Sequence, residues 1–109
     1  MGKPVRVTVS SATSSAVIPL SLNADPFSVG IGCDVSAGAS LTYTVQHTFD
    51  DVFSPTFNPA TATWFSNSVI VSQTADRDGN YAFPVTAVRL TVTAWTSGSV
   101  TMTVIQAGF

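Results

Sequence analysis

Residues 27–48 read FSVGIGCDVSAGASLTYTVQHT, and this stretch decides the fold class. Phe27, Val29, Ile31, Cys33 and Val35 share one parity, with Ser28, Gly30, Gly32 and Asp34 on the other. Side chains along a strand alternate between its faces, so this pattern predicts a strand with one buried side. A small-residue loop centred on Gly38 follows. Leu41, Tyr43, Val45 and His47 then alternate with Thr42, Thr44, Gln46 and Thr48. Pairing Val35 with Leu41 sets Cys33 opposite Tyr43 and Ile31 opposite Val45, with both apolar stripes on one side. That agreement predicts an antiparallel hairpin. Gly30 and Gly32 fall on the other face, where glycine weakens a strand. They mark a bulge or bend, or a place where another chain's backbone or side chains come close.

The same reasoning extends in both directions. Val5, Val7 and Val9 alternate with Arg6, Thr8 and Ser10, which predicts a first strand. Lys3 and Pro4 either blunt its edge or begin an arm. Ala16–Leu22 is a second candidate, placed at an edge or bend by Pro19. Asn23–Pro26 reads as a turn. Asp50–Ala62 is irregular and carries Pro55, Pro59, Phe53 and Phe57. Trp64 and Phe65 precede a short strand built on Val69 and Val71, and Thr74–Asn80 reads as a polar turn. Val88, Leu90, Val92 and Ala94 alternate with Arg89, Thr91, Thr93 and Trp95. A loop over Ser97–Ser99, with Gly98 left-handed, then pairs Val92 with Val104 and Ala94 with Met102 as a second hairpin. Seven to eight short strands in one domain over residues 1–109 predict an all-β, antiparallel β-sandwich or jelly-roll-like fold.

Composition supports this and excludes several function classes. Charged residues are 9% of the chain, against roughly 25% in ordinary soluble proteins. Val and Thr, which suit a pleated surface, are abundant. The cations Lys3, Arg6, Arg77 and Arg89 form no cluster, which argues against nucleic acid as a partner. No apolar run reaches the ~20 residues that span a bilayer, so no membrane partner is expected. The first residues lack the apolar core of a signal peptide, and Arg6 occupies the position where a myristoylation motif needs Ser or Thr. Low charge also leaves little protection against self-association.

The groups that could carry chemistry each have a plainer reading. Cys33, the one cysteine, sits in an apolar stripe and reads as a buried thiol. His47 shares its strand's apolar parity and reads as a hydrogen-bonded, partly buried imidazole. Asp50 and Asp51 are the one adjacent carboxylate pair, placed in a loop. Asp76, Asp78 and Asn80 have the spacing that opens a calcium loop, but Tyr81 stands where such a loop needs Gly. No metal, no cofactor and no enzymatic activity are expected. Exposed aromatics mark contact surfaces, so Phe53, Phe57, Trp64 and Trp95 are the candidate interface residues. With Phe65 and Tyr81, the tryptophans could also form a sugar-stacking platform, and a carbohydrate-binding module is the alternative reading.

Residues 78–90, DGNYAFPVTAVRL, and 91–106, TVTAWTSGSVTMTVIQ, resemble a segment of small, Thr/Ser/Val-rich structural proteins of tailed bacteriophages. The run from Arg89 to Gln106 carries most of the likeness, which covers about a third of the chain. The resemblance implies a non-enzymatic virion component assembled in the host cytoplasm. A capsid decoration or cement protein, bound to the major capsid protein and stabilising the phage head, is the leading role it implies. A collar, head-fibre or tail accessory protein is the next. The resemblance assigns no contact residue; a homo-oligomer is expected from the low charge and from strand edges that a symmetric assembly would cover.

Overall fold

The computed structural model describes residues 5–20, 28–52, 54–81 and 85–107. Eight strands are formed among them: β1 (Val5–Val9), β2 (Ile18–Pro19), β3 (Ser28–Val35), β4 (Ser40–Thr48), β5 (Trp64–Ser66), β6 (Arg77–Tyr81), β7 (Ala87–Ser97) and β8 (Val100–Ala107). They make two four-stranded sheets, ordered β1-β8-β3-β6 (the β1 sheet) and β2-β7-β4-β5 (the β2 sheet). Every pairing is antiparallel. The apolar stripes meet between the sheets. Val29, Tyr43, Val45, Val88, Leu90, Val100 and Met102 are fully buried there.

One ribbon makes most of both sheets. β3 pairs with β8 from Ser28↔Ala107 to Val35↔Val100, and β4 pairs with β7 from Ser40↔Ser97 to Thr48↔Ala87. The two arms of the ribbon are therefore 28–48 and 87–107, and they advance residue for residue. Both fold from one sheet to the other at 36–39 and 98–99. Ser36 N–H donates to Ser99 O, and Ser99 N–H donates to Ser36 Oγ, at 2.9 and 3.0 Å. The outer arm of this fold has the longer crossing. Register shifts beside Leu41 and Tyr43 take up the difference by leaving Thr96 and Thr93 unmatched on β7.

This arrangement overturns both expected hairpins. β3 and β4 lie in different sheets, as do β7 and β8. Cys33 pairs with Met102 and Arg77 rather than Tyr43, and Tyr43 pairs with Val92. Val104 pairs with Val5 and Ile31 rather than Val92, and Ala94 is exposed. The face agreement was sound, but two inward stripes also meet when their strands face each other across a core.

Three local expectations change as well. Val69 and Val71 do not build a strand. Asn67 Oδ1 accepts from the N–H groups of Val69 and Ile70, and Ser72 has φ 52°, so the chain bends there. Ile70 then enters the core, while Val69 and Val71 stay exposed. Asp78, Gly79 and Asn80 are not a turn but the middle of β6. A Cβ on Gly79 would lie 3.1 Å from Ile70 Cδ1, so its glycine makes room for that side chain. The predicted second strand shrinks to Ile18–Pro19 at a sheet edge, and the Asn23–Pro26 turn lies outside the described residues.

Candidate functional site

The chemistry-bearing side chains are engaged in holding the fold. Cys33 is buried, and desolvation pushes its thiol up to about 12, which keeps it protonated and unreactive. His47 of β4 is buried with Nδ1 2.8 Å from the hydroxyl of Tyr81 on β6, so this pair joins the two sheets along one side. Burial lowers the imidazole pKa. Phe65 stacks on His47 at 5.9 Å between ring centroids, and Phe49 meets it edge-on at 5.5 Å. Asp50 Oδ2 accepts from Thr63 N–H and ties off the 50–63 loop. Asp76 Oδ1 accepts from Val35 N–H, at the end of β3. Asp78 and Asn80 sit in an extended strand, whose straight course cannot wrap their oxygens round a cation.

The two tryptophan candidates are not brought together. Trp64 pairs across from Thr48 at one end of β4, and Trp95 pairs across from Leu41 near the other. Trp64 is half-buried. Its indole N–H donates to Pro59 O, and the Arg89 guanidinium covers its ring at 4.1 Å. Trp95 is exposed, with its indole N–H donated to Gly98 O. Phe57 is half-buried in the 50–63 loop, and Phe53 lies outside the described residues. A single sugar-stacking platform would need both tryptophans on one patch, and the length of β4 separates them. Phe65, named with the tryptophans as a stacking ring, lies 5.7 Å from Phe49, which sequence reasoning did not single out; the two are 48% and 54% exposed.

The outer face of the β1 sheet carries two glycines on its central strand β3. One row crosses it from edge to edge: Arg6, Thr103, Gly32, Asp78. Neighbouring rows carry Thr8, Thr101 and Asp34 on one side, and Ile105, Gly30 and Asn80 on the other. β3 keeps an unbroken register with both neighbours, and neither glycine has positive φ. A Cβ on Gly32 would meet nothing within 4 Å, and one on Gly30 would meet only Ile105 O at 4.0 Å. The bulge or bend reading of these glycines is therefore overturned. They leave the backbone of a central strand open on this face.

The edges of the two sheets also differ. β1 pairs with β8 alone and β6 with β3 alone, as regular five-residue strands. Among the described residues, no other backbone hydrogen bond reaches residues 5–9 or 77–80. The expectation that Lys3 and Pro4 blunt the first edge falls outside the described residues. The edges of the β2 sheet are short and broken. β2 has two residues, one of them Pro19, and residues 13–15 continue along β7 through Ser15 N–H to Leu90 O and Val92 N–H to Thr13 O. β5 has three residues, and the bent 67–73 segment takes over the β4 edge through Val45 N–H to Ile70 O and the Tyr43–Gln73 pair.

Eight antiparallel strands in these two sheet orders, with every link but β4–β5 crossing between sheets, make a jelly roll. The chain is similar in fold to a solved structure described as "Bacillus endospore appendages form a novel family of disulfide-linked pili". The likeness covers 98% of this chain and 87% of that one, at 15% identity and a TM-score of 0.50. No family model and no curated protein matches the sequence.

Proposed function

We propose that this chain is a non-enzymatic structural subunit that works by packing against other protein chains in a larger particle. The observation that carries this reading is the contrast between the sheets: one has its edges broken, the other keeps regular edges and a glycine-bearing face open. Natural β-proteins blunt exposed edges to avoid unwanted pairing, so an edge left regular is a surface in use. The finer reading is a component of a phage virion. The run from Arg89 to Gln106 supports it, with a decoration or cement protein on the major capsid protein as the leading role and a collar, head-fibre or tail accessory protein as the next. That the similar structure is described as one of pili is compatible with a jelly roll in an extended assembly. The disulfide linkage in that description has no counterpart at Cys33, whose thiol is buried in the core. Contacts of this chain are therefore non-covalent as far as its cysteine is concerned.

Mass spectrometry of purified particles from cells making the protein, together with sedimentation of the purified chain, tests the proposal. The chain is expected in stoichiometric multiples in a particle, or as oligomers on its own. Absence from every particle together with a monomer at all concentrations would sink it.

A further inference from the structure

We infer that copies of this chain add head to tail through the β1 sheet, the β1 edge of one copy pairing with the β6 edge of the next. This inference rests on the structural-subunit reading above and specifies its partner as a second copy.

Strand direction permits it. Neighbours in the order β1-β8-β3-β6 are all antiparallel, so β1 and β6 run in opposite directions. A copy shifted sideways, without being turned over, therefore presents an antiparallel β1 to the free side of β6. The two edges are matched in length, both being five residues. Core parity matches too. The row Val5, Val104, Ile31, Gly79 ends at the glycine of β6, so the next Val5, which is 45% exposed, is covered beside Gly79.

Charge selects this pairing over its rivals. Arg6 and Asp78 end the same outward row on opposite edges, and neither forms an ion pair within the described residues. Asp34 lies beside Asp78 on the same face. Joining β1 to a second β1 brings Arg6 towards its own copy. Joining β6 to a second β6 brings Asp78 towards Asp78. Arg77 on the same edge pairs with Cys33 and so has inward parity, which leaves Asp78 as the outward charge of β6. On the outward face the head-to-tail contact sets Arg6 against Asp78, and like charges placed across strands are destabilising. A contact between two different surfaces does not stop at two copies. It grows into a ring or an open helical filament, whereas either self-paired edge stops at a dimer.

The test is sedimentation of the full-length chain over a range of concentrations for wild type, R6D, D78R and the double variant R6D/D78R. Circular dichroism confirms that each variant is folded, as expected for substitutions at exposed positions. Wild type is expected to grow beyond dimer as concentration rises. Each single reversal is expected to weaken association about tenfold, the double variant to restore it, and an equimolar mixture of the two single variants to co-assemble. A wild-type plateau at dimer, or association altered by R6D and untouched by D78R, would overturn head-to-tail pairing. Oligomers indifferent to both reversals would overturn it while leaving the structural-subunit reading intact. A chain that stays monomeric and is absent from particles would remove both.

Discussion

The two sheets share one ribbon and one core, yet they end differently. In the β2 sheet, Pro19 removes a donor at one edge, and Asn67 bends the chain away from a strand at the other. In the β1 sheet, five regular residues finish each edge, and the central strand carries two glycines facing open space. Packing does not require this difference, since both sheets bury the inward residues of their two central strands. The lesson concerns what each surface is for. Under the structural-subunit proposal, the broken edges keep chains apart and the regular ones receive a partner.

The predictions probe that contrast, beginning at the fold between the sheets. Gly98 has φ +89°, and a Cβ there would lie 2.7 Å from Ala39 Cα and 2.9 Å from Ser36 Oγ. Gly98→Ala combines backbone strain with a clash against main chain, and is expected to cost about 3 kcal/mol, read as a lowered urea midpoint. Asn67→Ala tests the covered edge of the β2 sheet. It leaves the buried N–H of Ile70 without its acceptor, at a cost of about 2 kcal/mol. Amide exchange at Tyr43 and Val45 is expected to quicken with it. An unchanged midpoint would mean that the bent segment does not guard this edge.

His47 tests the seam between β4 and β6. Burial lowers its imidazole pKa below 6.5, so the native state holds it neutral while the unfolded chain takes up a proton below that pH. Its contribution is complete above 6.5 and declines as pH falls towards the folded value. His47→Gln is expected to flatten that part of the pH dependence of urea unfolding. The smallest effect has the opposite sign. Gly32→Ala meets no neighbour, and is expected to stabilise the isolated chain by about 0.5–1 kcal/mol, read as a raised melting temperature. A loss of stability there would restore an internal reason for the glycine and weaken the contrast.

Much of the fold was legible because parity is local. The alternations at Val5–Val9, Val29–Val35 and Leu41–His47 identify strands and their inner faces, and, Val5 apart, the inward residues of these runs line or pack against the core. The buried Cys33 was legible for the same reason, while Gly98 is left-handed as expected but in a crossing between sheets rather than in a hairpin loop. Asp78–Gly79–Asn80 was not, because a glycine that accommodates Ile70 is spelled like one that turns the chain. Arg6 and Asp78 were visible as residues but not as the two ends of one row.

The sequence by itself determined an all-β chain, which faces of its strands are buried, and the small, weakly charged character of what remains. Only the tertiary structure decided which strands are neighbours. A period of two says which way a side chain points relative to its own strand, and nothing about where its partner lies. Matching stripes are satisfied side by side in a hairpin or face to face across a core. The choice fell to the ribbon that folds at 36–39 and 98–99, and with it came the two open edges.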